Sequence, residues 1–224
     1  MKILFVIAAL RNGGAERVLN VLANELSKDN EITIALLEED LGLYKFSEKI
    51  NIINLNVTGS GVALKFKKIL ALRALFKEQR ADLIMSFIDW TNVACVLANA
   101  GLKSKLIATE HHEHSYLKSK IASAMRDISY RFVDGLSVLS KSDYDYYKFA
   151  KNREVIHNPL FIDVPEICEK QNVILSVARL EAVKGYDIYF EALSKVDKSL
   201  LDGWEIKIAG SGRQEAQLKQ MASN

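Results

Sequence analysis

Four loops carry the side chains best suited to chemistry, and each directly follows a short apolar run. The first is Arg11-Asn12-Gly13-Gly14-Ala15-Glu16-Arg17. Its glycines, Gly13 and Gly14, let the backbone approach a ligand and leave N–H groups at a helix N-terminus turned outward, which suits an anion. No Gly-x-Gly-x-x-Gly fingerprint and no Walker lysine is present, and a tight turn is the competing reading. The second is Thr109-Glu110-His111-His112-Glu113-His114. Its spacing matches neither His-Glu-x-x-His nor the inverse, so no metal site is expected. One histidine working as a donor or acid/base in a cleft fits better, against a solvated loop that simply satisfies His112 and His114. The third is Arg179-Leu180-Glu181-Ala182-Val183-Lys184-Gly185. Arg179 and Lys184 beside a helix N-terminus suit a diphosphate, because they neutralise charge that builds on a leaving group. A solvated basic loop is the alternative. The fourth, Ala209-Gly210-Ser211-Gly212, is another close-approach turn in which Gly210 and Gly212 free backbone N–H groups. The two glycine turns and the Arg/Lys pair together point to a phosphorylated ligand in a two-domain cleft.

A fifth segment, 65–77, mixes cations with apolar residues at roughly helical spacing, with Lys65, Lys67, Lys68 and Arg73 as candidate contacts to a membrane or to polyphosphate. A surface helix with a lysine-rich outer face is the plain alternative. Nucleic acid is not an expected partner, since Lys+Arg 30 against Asp+Glu 28 leaves a net charge of only +2 and no binding motif appears.

These loops need elements to hold them. Apolar runs at 3–8, 32–37, 50–55, 83–87, 106–108, 135–139, 173–178 and 206–209 alternate with amphipathic stretches at 15–27, 92–100, 121–132, 141–149, 186–196 and 214–221. This alternation predicts an α/β fold with a parallel sheet covered on both faces, and such sheets bind ligands at the carboxyl ends of their strands. The run 3–8 reads as a buried first strand rather than as a signal peptide, and nothing approaches the length of a spanning helix. At 224 residues and 49% apolar composition, disorder and fibrous folds are excluded. Two cysteines far apart exclude a disulfide scaffold, and Cys95 reads as a small buried hydrophobe in a reducing compartment. Both prolines, Pro159 and Pro165, lie near the expected boundary. The predicted division is 1–160 for a first domain, 161–171 for a linker and 172–224 for part of a second. Two β–α units leave an apolar sheet face and an unpaired edge, so the second domain is expected to be truncated.

In order along the chain, Gly13-Gly14-Ala15-Glu16-Arg17, Glu110-His111, Ser137-Val138-Leu139-Ser140, His157-Asn158-Pro159, Ala178-Arg179-Leu180 with Lys184-Gly185, and Ala209-Gly210-Ser211-Gly212 resemble the glycosyltransferase family 4 branch of the GT-B fold. The stretch 110–117 and the basic segment 65–77 look most like bacterial transferases that add N-acetylhexosamines to undecaprenyl-diphosphate-linked oligosaccharides. The resemblance implies two Rossmann-like domains with a nucleotide-diphospho-sugar between them, and an acceptor side in the first domain around Gly13, Gly14 and His111. It implies that Arg179 and Lys184 hold the donor diphosphate near Gly210 and Gly212, that His111 contacts the transferred sugar, and that transfer retains configuration without a metal or other cofactor. It further implies a UDP-N-acetylhexosamine donor, a glycan or polyprenyl-diphosphate-linked acceptor, and a cytoplasmic location, peripheral on the inner face of the membrane. The family's Glu-x7-Glu motif is not found in 172–224, so this polypeptide alone is expected to be weakly active or inactive. A UDP-sugar epimerase of GT-B fold and a non-catalytic fragment that binds sugar nucleotides are the alternatives. A nicotinamide dehydrogenase fits less well, because the glycine fingerprint is wrong.

Overall fold

Continuous apolar runs bounded by polar loops form strands buried on both faces, and the first half of the chain is built from them. A computed structural model describes residues 1–38, 40–160 and 169–222. The chain divides into two units, Met1–Phe161 and Ile162–Asn224. Of the predicted linker 161–171, residues 161–168 lie outside the described residues, as does Cys168.

The first unit runs β1 (Lys2–Ile7), α1 (Gly14–Leu26), β2 (Glu31–Leu36), β3 (Asn51–Asn54), α2 (Gly61–Gln79), β4 (Leu83–Phe87), α3 (Asp89–Asn99), β5 (Lys105–Thr109), α4 (Lys120–Ser129), β6 (Gly135–Val138), α5 (Lys141–Tyr146) and β7 (Arg153–Val155). Its seven strands are parallel in the order β3-β2-β1-β4-β5-β6-β7. Side chains alternate between two cores. Ile3, Phe5 and Ile7 of β1 pack with Val18, Leu19 and Ala23 of α1 on one face. Leu4 and Val6 pack on the other with Leu72, Leu75 and Phe76 of α2 and with Ala94, Cys95 and Ala98 of α3. Cys95 is thus the small buried hydrophobe the sequence predicts, and burial pushes its thiol far above the ordinary range.

The strand order reverses beside β1. The chain leaves β1 for α1 on one face and leaves β4 for α3 on the other, which opens a crevice between the two loops. Gly13 and Gly14 stand on one side of this crevice and the start of α3 on the other. Two element ends differ from the sequence reading. The helix predicted to reach residue 132 is α-helical only to Ser129 and tightens into a 3₁₀ turn over Tyr130–Phe132, and α5 stops at Tyr146. The edge strand β7, only three residues long, carries too little pattern to be read from sequence.

The second unit runs β8 (Val173–Val177), α6 (Tyr186–Ser194), β9 (Glu205–Ala209) and α7 (Glu215–Ala222). The two strands are parallel, and Leu180, Tyr186 and Leu218 form the buried core on one side. Leu175 and Val177 stand mostly exposed on the other, the bare apolar face expected of a two-stranded sheet. Among the described residues no helix is long and apolar enough to cross a membrane.

Candidate functional site

The site is held by an unusual bend at the carboxyl end of β4. Ile88 has φ 70° and Asp89 φ 28°, conformations that L residues avoid and a β-branched one most of all. Hydrogen bonds fix the bend: the Ile88 N–H donates to the Thr109 carbonyl at 3.1 Å, and the Ile88 carbonyl accepts from Thr91 N–H at 2.9 Å. The bend delivers the Asp89 carboxylate to His112 Nδ1 at 3.0 Å.

Just past β5 the Glu110 N–H still pairs with the Ser137 carbonyl at 2.9 Å, so the residues that follow are anchored to β6. Glu110 is buried, and Asn92 Nδ2 donates to its Oε1 at 3.3 Å, to the Thr109 carbonyl at 3.1 Å and to the Tyr130 hydroxyl at 2.9 Å. Burial, and then the charge of Asp89, push the Glu110 carboxyl up to about 8, while Arg126 and Asn92 oppose them. The acid is therefore largely protonated at neutral pH.

His111 differs from its two neighbours. Its ring stacks on Phe87 at 5.6 Å between centroids and 15° between planes, and Phe87 stacks in turn on Phe5 at 6.0 Å. Both ring nitrogens are buried without a well-formed hydrogen bond among the described residues. Burial, and then His112, lower its pKa to about 4; the nearby Asn158 amide has the smallest influence and acts the other way. The result is a neutral imidazole with neither ring nitrogen in a well-formed hydrogen bond among the described residues. His112 is tied to Asp89 and stacks on Tyr116 at 4.4 Å. His114 meets Asp143 at 2.9 Å through both its N–H and Nδ1 and stacks on Tyr146 at 4.1 Å. The plain reading of a satisfied histidine thus describes His112 and His114 and leaves His111 apart.

Across the crevice, Gly13 is the N-cap of α1 in an extended conformation, φ −140°, with no side-chain cap. The Tyr44 hydroxyl donates to the carbonyls of Arg11 at 3.0 Å and Gly13 at 3.2 Å, which pins this loop. A Cβ on Gly13 would collide with the Glu16 carboxylate, so Glu16 folds back over the helix start, whereas a Cβ on Gly14 would have only Asn158 Nδ2 near it, at 4.0 Å. A cavity of about 350 Å³ lies between the two loops, with Arg11, Glu38, Lys68, Asp89 and Trp90 in its wall. Glu38 sits between two cations, accepting from Arg11 Nη2 at 2.9 Å and Lys68 Nζ at 2.8 Å.

The four candidate cations of the basic helix stand in different surroundings. Lys68 is buried against Glu38 in the cavity wall, and Arg73 donates to the carbonyls of Ala98 at 2.9 Å and Ala100 at 2.8 Å, closing the end of α3, so both are engaged within the protein. Lys65 lies 4.5 Å over the Trp90 ring at the cavity, and only Lys67 of the four is a plain solvent-exposed cation. The exposed surface of α2 mixes the apolar Val62, Phe66 and Leu70 with Lys65, Lys67 and Lys77.

In the second unit, Arg179 and Lys184 are exposed, and among the described residues neither side chain has a polar partner. A 3₁₀ turn over Ala182–Lys184 ends at Gly185, whose φ of 67° starts α6. Gly210 and Gly212 do allow a close approach, but to the chain itself. A Cβ on Gly210 would strike the Ala178 carbonyl, and one on Gly212 would strike the Leu180 backbone. The Leu180 N–H donates to the Ser211 carbonyl at 2.8 Å and the Gln214 N–H to the Leu180 carbonyl at 3.0 Å, locking the loops after β8 and β9 together.

The sequence reading missed Glu38, Asp89, Asn92, Trp90 and Arg126. Asp89-Trp90 had a usable signal, an acid and an aromatic directly after an apolar run. The others act through contacts that no local pattern reveals.

The family model described as Glycosyltransferase Family 4 matches residues 12–163, and that described as Glycosyl transferases group 1 matches 159–224. A relative from Campylobacter jejuni, named GalNAc-alpha-(1->4)-GalNAc-alpha-(1->3)-diNAcBac-PP-undecaprenol alpha-1,4-N-acetyl-D-galactosaminyltransferase, is 39% identical over 231 residues, covering 98% of this chain and 64% of the relative. The chain therefore spans about 64% of the length of that relative. Among solved structures, the lipopolysaccharide outer core galactosyltransferase WaaB aligns with TM-score 0.70 at 17% identity, over 100% of this chain and 64% of its own. Anabaena HepE, solved in complex with UDP and glucose, aligns with TM-score 0.69 at 17% identity, over 100% and 65%. These two likenesses show the fold, which is of GT-B type as the motifs imply. With the first family model covering most of its length, this chain belongs to glycosyltransferase family 4.

Proposed function

We propose that this protein transfers an N-acetylhexosamine from a UDP-sugar, with retention of configuration, to a glycan carried on a polyprenyl diphosphate. The observation that carries the reading is His111, a neutral imidazole with no well-formed hydrogen bond among the described residues, at the carboxyl end of β5, where parallel sheets bind their ligands. Held flat on Phe87, it can exchange hydrogen bonds with sugar hydroxyls without adding a charge. Arg179 and Lys184 are assigned to the donor diphosphate, where two cations at a loop stabilise the departing UDP, and neither a metal nor a cofactor enters the scheme. The loop of Gly13 and Gly14 and the adjoining cavity are assigned to the acceptor. In the step itself the donor C1–O bond breaks, an acceptor hydroxyl oxygen bonds to C1, and the hydroxyl proton leaves with the diphosphate. The name of the Campylobacter relative, which specifies an undecaprenol-diphosphate acceptor and an N-acetylgalactosaminyl group, supports this choice. We assign the reaction to the cytoplasmic face of the membrane, where soluble nucleotide sugars meet lipid-borne acceptors.

The test is product analysis with UDP-GalNAc and UDP-GlcNAc, with and without a polyprenyl-diphosphate glycan. A lengthened glycan and released UDP are expected, in low yield from this polypeptide alone. Conversion of the nucleotide sugar to its epimer without any acceptor would replace transfer by the epimerase reading.

A further inference from the structure

The amino ends of the parallel strands, the opposite end of the sheet from His111, carry a groove of their own. A cavity of about 700 Å³ lies between the end of α2, the start of β4 and the loop 101–104, and a second of about 530 Å³ runs on past the end of α3 to Phe132 and Asp134. Leu102, Lys103 and Ser104 line both, so the two are continuous. The loop between them is fixed: Ser104 Oγ donates to the Ala81 carbonyl at 2.6 Å, and Asn99 Nδ2 to the Ser104 carbonyl at 2.8 Å. Phe76 and Ala81 are buried in the floor at one end, and Leu97 and Phe132 are exposed at the other.

Cations gather at the first end. Lys77, Arg80 and Lys103 are exposed along its rim, and among the described residues none of the three has an acidic partner. The carboxylates in the walls are engaged. Asp82 accepts from the Lys2 N–H at 2.8 Å, and Asp134 from Lys105 Nζ and the Leu106 N–H, both at 2.9 Å. Cations at the end of a helix are ordinary, since they complement its dipole. Two features go further here. Lys103 comes from a separate loop. Arg80 is held at φ 47°, in the left-handed conformation where helices favour glycine, so backbone strain is accepted at the position that carries the guanidinium.

Shape and charge choose the occupant. A recessed groove is closed to a flat bilayer. From Asp82 at the foot of β4 to Asp134 at the foot of β6 is two strand spacings, about 10 Å, which about three residues of extended chain would span and a single anion would not. An apolar floor calls for side chains rather than for bare phosphates. We infer that this groove receives an acidic peptide segment of another protein, its carboxylates on Lys77, Arg80 and Lys103 and an apolar side chain towards Leu97 and Phe132. A partner held here leaves the carboxyl ends of the strands open for chemistry. This goes beyond the sugar-transfer reading and does not depend on it, because peptide binding is measured without donor or acceptor.

The test is fluorescence polarisation of a fluorescein-labelled peptide carrying three consecutive glutamates followed by Gly-Phe-Leu. The wild type is expected to bind it saturably, more weakly at high salt, and to bind the same peptide with glutamines for glutamates at least about tenfold less tightly. Lys77→Glu with Lys103→Glu is expected to weaken binding by about tenfold or more, because the acids then meet like charge. These positions are exposed, so circular dichroism should match the wild type. Arg80→Gly is expected to weaken binding several-fold while raising the melting temperature, since glycine relieves the left-handed strain; a purely structural role for Arg80 would lower both or leave binding unchanged. Lys118→Glu, in the loop that leads from β5 to α4, is the control and should bind as the wild type does. The inference fails if the wild type does not bind the peptide, or if the groove variants bind it normally. It also fails if inorganic phosphate at matched ionic strength displaces the peptide, which marks a small-anion site, or if an oligothymidylate of equal charge binds as tightly, which marks charge attraction alone.

Discussion

Replacing Glu110 by glutamine tests the electrostatics behind the site. The wild-type carboxyl is raised from 4.5 to about 8, first by burial and then by Asp89. In the unfolded chain it loses its proton near 4.5, whereas in the folded chain it keeps the proton until about pH 8. Between those values the folded state holds one more proton than the unfolded state, so stability falls as pH rises, by at most about 1.4 kcal/mol per pH unit. Glu110→Gln removes this dependence while keeping the shape and an acceptor for Asn92. His111 has the opposite sign: its pKa is lowered to about 4, so stability rises with pH from about 4 to 6.5. Both proteins carry that effect, and it cancels in their difference. Urea denaturation of the two at unit steps from pH 5 to 9 should show the variant gaining on the wild type up to pH 8 and then holding a constant lead. The accumulated gain, several kcal/mol, is large beside a typical domain stability of about 5–15 kcal/mol. A constant offset across the whole range would mean that Glu110 ionises like an ordinary surface acid, and the account of its burial would be wrong.

The His111 imidazole should show no proton uptake in an NMR titration from pH 8 to 5.5, and a midpoint near 6.5 would contradict its burial. Gly210→Ala should cost about 1–3 kcal/mol, since its Cβ meets the Ala178 backbone carbonyl rather than a side chain that can turn away; denaturation monitored at Trp204 reads this directly, and an unchanged midpoint would refute the clash. Lys68→Ala should destabilise by about 1–2 kcal/mol, less than a fully buried pair because Glu38 is partly solvated, while Lys67→Ala should stay within about 0.5 kcal/mol. Equal effects from the two lysines would contradict the inward placement of Lys68.

Period and polarity reveal the sheet but not the side chains that meet across it. The runs that became β1, β2, β4 and β5 are legible because a parallel strand buried on both faces has few polar positions to confuse its pattern, whereas β7 has three residues and two of them are charged. The histidine cluster was visible as a composition, yet only tertiary contacts single out His111: Asp89 and Asp143 arrive from other elements to satisfy its neighbours. Gly210 and Gly212 illustrate a limit of the same kind. A glycine marks a close approach, but the sequence does not say whether the approaching group is a ligand or, as here, the loop after the neighbouring strand. The orientation of α4 was equally hidden: Arg126 and Ser129 are buried, and Ile121 and Ile128 are exposed. Its helical spacing is plain, but a periodic apolar stripe is read as facing inward unless a contact such as Arg126 with the His114 carbonyl shows that the polar side is the buried one.

The most direct measurement on the central claim is the rate of sugar transfer from a UDP-N-acetylhexosamine to a polyprenyl-diphosphate glycan by the protein carrying His111→Ala. A loss of about a hundredfold or more in kcat is expected, with the protein still folded, because the ring supplies hydrogen bonds that no neighbouring histidine is free to replace. Transfer at the wild-type rate would contradict the assignment of this imidazole to the reacting sugar.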